Sequence, residues 1–159
     1  MNDDAGIVER ALALIEEAFA ETPRPADAEL LHKRCIDDND IVALYEIPHW
    51  RELPDPLVES EYAALSFLSP PGFRHFIPAY LRFALRRLDS GAAAVDSTIW
   101  SLSPDFYDGE ELRDFTASKL TALDAEQREA VIAFLEAVRA AGDEHDREYA
   151  ETALRYWRT

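Results

Sequence analysis

The residues best suited to chemistry in this sequence form the corner HWRE at positions 49–52, between Pro48 and Pro54. Prolines on both sides disfavour a continuous helix, so we expect an ordered, non-helical corner. A histidine titrates near neutral pH, and beside an arginine and a glutamate it could serve as a general base. A structural interpretation fits the same residues, in which Trp50 fills the core and its charged neighbours form an ion pair or cap a helix.

A second group of candidate side chains lies between residues 62 and 88. This stretch holds six aromatic residues, three prolines and four arginines, and it has no acidic residue. Arg82 and Arg86 are one helical turn apart on a shared face, so with His75 they could form an anion pocket. Neutralisation by the protein's own Asp and Glu explains the arginines without a ligand. The two groups together predict one ligand-binding site, lined by His49, Trp50, Arg51, Tyr62, Arg74, His75 and Tyr80.

Metal and nucleophile motifs are weak. His32 and Cys35 are three residues apart and could hold a metal together with Asp37 or Asp38. A structural zinc site needs four ligands, however, and further ligands would have to come from elsewhere in the chain. The sequence has no phosphate-binding glycine loop, no GxSxG, no HExxH and no CxxC, and these are the motifs that carry the corresponding chemistry. We therefore predict no catalytic residue, no metal and no cofactor.

We predict that helices position these residues, because apolar residues recur at helical spacing along nearly the whole chain. We predict a compact all-α bundle of about six to eight helices that forms a single domain over residues 1–159, with short irregular or extended linkers near Pro48 and Trp100. Helix starts are indicated by capping residues and by prolines in the first turn. They are Asp3 or Asp4, Asp55-Pro56, Ser69-Pro70 and the capping-box sequence Asp124–Gln127.

The sequence also predicts the secondary structure of several individual segments. Pro78 has no N–H and should interrupt its helix, leaving one turn near residues 72–76 and a better helix from Pro78 to Leu88. The stretch from Val95 to Pro104 is rich in β-branched residues and is expected to be extended or a loop. Short helices are predicted over Ala28–Cys35 and behind Asp40, and Gly142 should end the helix that follows Asp124.

The charge of the chain limits its partners. With 32 acidic and 16 basic residues, the net charge is −16. Nucleic acids and anionic membranes bind through Lys and Arg, so we predict neither as a partner, and we predict a basic protein instead. No apolar run reaches the roughly 18 residues of a membrane span. The single cysteine, Cys35, cannot form an internal disulfide, and the start of the sequence lacks the features of a secretory signal, which favours the cytoplasm.

Two segments resemble an uncharacterised bacterial protein family. They are HWREL at 49–53, followed by ALSFLSPPGFRHFIPAYL at 64–81. A later segment, LDAEQREAVIAFLE at 123–136, is similar to the Leu-Thr-Pro-Glu-Gln segment of that family, with Asp124-Ala125 in place of Thr-Pro. The resemblance covers about two thirds of the chain and implies a small intracellular bacterial protein. It brings no activity, cofactor or catalytic residue with it.

These observations leave three functional hypotheses. The first is a non-enzymatic protein-binding module, for example an immunity or inhibitor protein against a basic toxin or nuclease. The second is an enzyme or small-ligand receptor with a pocket around His49 and Arg74. The third is a homodimer in which Tyr156 and Trp157 pack across the interface.

Overall fold

The computed structural model describes residues 3–31 and 42–158, and this part of the chain is all-α. It contains α1 (Asp4–Ala18), α2 (Asp55–Ser60), α3 (Pro70–Arg86), α4 (Ala93–Trp100), α5 (Glu110–Thr121), α6 (Ala125–Ala141) and α7 (Glu144–Trp157). Short 3-10 turns connect them, and the described residues form no strand beyond an isolated antiparallel bridge between Leu31 and Leu68. The predicted all-α class and the number of helices are confirmed.

The central helix is α3, which is buried on almost every side. Ser69 caps it by accepting a hydrogen bond from the Gly72 N–H at 3.2 Å, and Pro70 takes the first helical position. Both features are those predicted from the sequence. Twelve of the helix residues from Gly72 to Leu85 are buried, so the other helices pack around this element.

The predicted break at Pro78 is wrong, because α3 runs without interruption from Pro70 to Arg86. A proline inside a helix costs about 3 kcal/mol. Each large apolar side chain that α3 buries contributes roughly 1.5–3 kcal/mol, and Phe73, Phe76 and Leu81 are all fully buried. Packing around the whole helix therefore outweighs the local cost at Pro78, which is itself buried.

Helices α1, α6 and α7 pack together, with α6 between the other two. The predicted capping box at the start of α6 is present: Asp124 accepts from the Gln127 N–H, and the Gln127 side chain accepts from the Asp124 N–H. Gly142 ends α6 as predicted. A Cβ atom there would approach Val138 O and Asp146 Cβ to 2.7 Å, so the close turn from α6 into α7 requires glycine.

The stretch after Val95 is not extended, because α4 includes it up to Trp100. Val95, Thr98 and Ile99 are buried, so tertiary packing overrides the weak helix preference of β-branched residues. Thr98 Oγ1 donates a 2.6 Å hydrogen bond to Ala94 O, which satisfies the hydroxyl inside the helix. A linker does follow Trp100, and it contains the 3-10 turn Pro104–Phe106.

The linker near Pro48 is irregular, as predicted, and is built from the 3-10 turns Val42–Glu46 and Trp50–Glu52. The helix predicted behind Asp40 is the 3-10 turn Val42–Glu46. Of the helix predicted over Ala28–Cys35, residues 32–35 lie outside the described residues, and the described part contains only the turn Asp27–Glu29. No helix in the described part of the chain is long and apolar enough to cross a lipid bilayer.

Candidate functional site

The corner at 49–52 is a 3-10 turn capped by His49. The Arg51 N–H donates to His49 Nδ1 at 3.1 Å. Trp50 is 0% exposed, and its indole N–H donates to Phe19 O at 3.0 Å. One ring nitrogen of His49 and the whole of Trp50 are therefore used in holding the corner against the end of α1.

His75 lies behind this corner and is 0% exposed. Its Nε2 accepts a hydrogen bond from the Trp50 N–H at 3.1 Å, so its Nδ1 carries the proton and donates to Thr22 O at 3.1 Å. Burial is the main cause that lowers the pKa of His75 to about 4; the hydrogen bond to Thr22 O opposes it, and the nearby His49 and Arg24 add to it. The ring is thus neutral at physiological pH with both nitrogens engaged.

Two guanidinium groups pack against Trp50. Those of Arg51 and Arg82 lie 5.3 and 5.2 Å from its ring, within the range of cation–π attraction. Arg51 also forms an ion pair with Glu16 at 3.3 Å. Burial, followed by the like charge of Arg86, lowers the pKa of Arg82, and its buried Nε has no hydrogen-bond partner among the described residues.

The Arg74 side chain contacts the start of α6 and not the corner at 49–52. Its Nε donates to Gln127 Oε1 at 3.0 Å, and its Nη2 lies 3.4 Å from Asp124 Oδ2. Gln127 in turn donates to Thr22 Oγ1 at 2.9 Å. Since Thr22 also accepts from His75, Arg74 joins the corner only through a chain of internal hydrogen bonds.

The two tyrosines of the predicted site lie apart from it. Tyr80 is buried, and its hydroxyl donates to Glu61 O at 2.9 Å. Burial, with a contribution from Glu61, raises its pKa. Tyr62 is 45% exposed. The structure therefore brings His49, Trp50, Arg51 and His75 together, and it places Arg74 and the tyrosines elsewhere.

A surface group that the sequence did not indicate is the aromatic patch, formed by Trp100, Phe106, His145 and Tyr149. Trp100 is 40% exposed and stacks on Phe106, with ring centroids 6.1 Å apart and planes 20° apart. Tyr149 meets Trp100 edge-on at 5.6 Å and His145 at 4.3 Å. The members of the patch come from three separate elements, and only His145 and Tyr149, on α7, have the i, i+4 spacing that places two residues on one helix face.

The aromatic patch carries acidic neighbours. His145 Nε2 lies 3.6 Å from Asp96 Oδ2, and Asp96 stands one turn before Trp100 on α4. Asp105 is adjacent to Phe106 and pairs with Arg113 at 3.3 Å. An exposed indole face bordered by carboxylates can accept a cationic side chain by cation–π and ionic contacts together.

Within residues 3–31 and 42–158, one group of carboxylates is close enough to share a cation. The ligand oxygens of Asp89, Asp143 and Asp146 lie within 4.8 Å of one another. Asp143 caps α7 by accepting a hydrogen bond from the Asp146 N–H at 2.8 Å. The Asp146 carboxylate accepts a hydrogen bond from the Asp89 N–H at 3.4 Å. Burial, followed by the like charge of Asp143, raises the pKa of Asp146. The helix start accounts for this arrangement, and we base no metal site on it. The candidate ligands His32, Cys35, Asp37 and Asp38 lie outside the described residues.

Comparison with known proteins gives a family and no activity. Residues 9–159 match the model of a family described as a family of unknown function (DUF6714), which agrees with the uncharacterised family that the sequence resembles. Neither the curated proteins nor the solved structures contain a match to the chain.

Proposed function

Because the chain belongs to DUF6714, a family of unknown function, we propose its function from its own geometry: a protein-binding module that docks a basic partner on the aromatic patch. The observation that carries the proposal is the 40% exposure of Trp100, whose ring packs on Phe106 and Tyr149. Tryptophan and tyrosine dominate the binding energy of protein interfaces. An indole whose orientation is fixed before binding loses little conformational entropy when a partner covers it.

The charge around the aromatic patch supports a basic partner. Between residues 89 and 114, seven acidic residues stand against one arginine, a net charge of −6. Helix α7 adds the exposed Glu144 in its first turn. A negative surface attracts a positive partner over roughly 8–10 Å at physiological ionic strength, which raises the association rate. A lysine or arginine of the partner would then pack on the indole face of Trp100.

An immunity or inhibitor protein directed at a basic toxin or nuclease is the concrete form that we propose. Such a protein blocks its target by covering a basic, substrate-binding surface, and an acidic surface with an aromatic anchor suits that task. A bacterial source and a cytoplasmic location belong to the same proposal.

Trp100→Ala is expected to weaken binding of the basic partner about 30-fold, because loss of an interface tryptophan costs on the order of 2 kcal/mol or more. The wild-type protein is immobilised at low salt in host-cell extract, and captured proteins are identified and then titrated against each variant. Tyr62→Ala is the matched control, since Tyr62 is a similarly exposed aromatic outside the patch. It should leave the affinity unchanged.

The salt dependence gives a second readout. The proposal expects the partner to be basic and its affinity to fall as salt rises. Partners that are indifferent to salt, or that bind Trp100→Ala as tightly as wild type, would contradict it.

The remaining hypotheses stay predictions. Nothing in the geometry favours a pocket shared by His49 and Arg74, because the contacts of His49 are with Trp50, Arg51 and His75, whereas those of Arg74 are with α6. In the predicted dimer interface, Trp157 is only 7% exposed and donates to Leu102 O at 2.7 Å. Light scattering of the purified protein tests the dimer directly.

A further inference from the structure

A cleft between the carboxyl-terminal halves of α6 and α7 is rich in arginine. It has a volume of about 530 Å³ and is lined by Arg139, Glu151, Leu154, Arg155 and Arg158. Three of these five residues are arginines, in a chain that has twice as many acidic as basic residues. We refer to this feature as the arginine cleft.

Two of the three arginines of the cleft, Arg139 and Arg155, have no ion pair with any of the described residues. Elsewhere, Arg74 and Arg87 form ion pairs with Asp124 and Asp55. In the cleft, Arg158 pairs with Glu136 at 2.8 Å, while Arg155 donates only to the Thr152 hydroxyl, at 3.1 Å.

Among the residues of the cleft, Arg139 gives the strongest indication of a bound anion. It is half-buried in the cleft, and its guanidinium has no hydrogen-bond or ion-pair partner in the part of the chain that the structure describes. A guanidinium offers five N–H donors in a planar fork that fits the oxygens of a carboxylate or phosphate. A half-buried fork beside an open cavity therefore has both the donors and the room for an oxyanion.

We propose that the arginine cleft binds a small oxyanion, a carboxylate or a phosphate, between Arg139 and Arg155. Arg158, held by Glu136, adds positive potential at the rim. Leu154 lines the cleft but is only 2% exposed, so the polar side chains around it form the binding surface. The cleft uses none of the residues of the aromatic patch, so this proposal stands or falls independently of the proposed function.

Glu151 offers a control variant that should change anion binding in the opposite direction to the arginine variants. It lines the cleft and forms no ion pair with the arginines within the described residues. Its carboxylate opposes an incoming anion and competes with it for Arg155, one helical turn away. Removing that charge should therefore tighten anion binding, whereas removing the Arg139 charge should weaken it.

The test is a titration of the full chain with inorganic phosphate and, separately, with succinate at constant ionic strength, followed by the NMR signals of the arginine Nε–H groups. We expect saturable shifts at Arg139 and Arg155. Arg139→Gln should weaken binding about tenfold, the usual effect of losing a charge-assisted pair. Glu151→Gln should tighten it. Arg86→Gln, the same charge change at an exposed arginine outside the cleft, should have little effect.

The stronger of the two probes identifies the oxyanion class, and saturation by either supports the site. The proposal is overturned if neither probe gives saturable shifts. It is also overturned if Arg139→Gln and Arg86→Gln weaken binding equally, because that result would mean diffuse attraction by net charge. Glu151→Gln keeps the test decisive if Arg139→Gln alters the fold.

Discussion

Replacing Trp50 with alanine is expected to lower the free energy of unfolding by about 4 kcal/mol, the typical cost of truncating a buried tryptophan. The side chain is fully buried, donates to Phe19 O and lies against the guanidinium groups of Arg51 and Arg82. Truncation leaves a cavity, removes one of the two hydrogen bonds that Phe19 O accepts, and deprives the two guanidinium groups of the ring on which they pack. Since small domains are stable by only about 5–15 kcal/mol, the variant should be partly unfolded in mild denaturant. Urea unfolding followed by circular dichroism measures the effect.

Two further variants separate the effects of losing the indole N–H, losing side-chain volume and losing a buried position. Trp50→Phe keeps most of the volume and removes the indole N–H, so it should cost about 1–3 kcal/mol. Trp100→Ala removes the same side chain from a partly exposed position, where it packs on Phe106 and Tyr149, and we expect a smaller loss of about 1–2 kcal/mol. If Trp50→Ala proves no more destabilising than Trp100→Ala, the corner does not serve as a structural anchor, and the ligand-binding interpretation of residues 49–52 gains support.

The features that sequence predicted well are those determined by neighbours in the chain. The cap at Ser69 and the capping box at Asp124 each involve residues three positions apart, and helical periodicity identified the all-α class. Local rules were wrong where long-range packing opposed them. At Pro78 the burial of large side chains outweighs a local cost of about 3 kcal/mol, and at Val95 it outweighs a helix penalty of less than about 1 kcal/mol per residue.

The candidate site residues also depend on contacts between residues that are far apart in the sequence, which local patterns do not predict. Sequence selected His49, Trp50 and His75 as candidates, but the partner of His75 Nδ1 is 53 residues away and the donor to its Nε2 is 25 residues away. No local pattern encodes those pairings. The aromatic patch likewise takes its members from α4, from the turn at 104–106 and from α7, so it became visible only when the three elements were placed together.

The protonation of His75 should make the folded state less stable as the pH falls from 6.5 to 4. Burial lowers the pKa of His75 from 6.5 to about 4, so in this interval the unfolded chain binds the proton and the folded chain does not. Unfolding is then coupled to proton uptake, and the free energy of unfolding decreases with decreasing pH. The stabilisation is fully present above pH 6.5 and is lost by about pH 4, with a total change of roughly 3 kcal/mol.

His75→Gln isolates this effect from the titration of the many carboxylates. The variant should be less stable than wild type at pH 7 by about 1–3 kcal/mol, because the flexible glutamine side chain loses more conformational entropy in making the two hydrogen bonds of the imidazole and does not fill the volume of the buried ring. Its stability should decline less steeply below pH 6.5, so that the difference from wild type shrinks as the pH approaches 4. Trp50→Phe is the matched comparison, because it is also destabilised but retains the imidazole and should follow the wild-type slope. Urea midpoints across this pH range decide the matter: parallel curves for wild type and His75→Gln would mean that the buried imidazole is not the group whose protonation destabilises the fold.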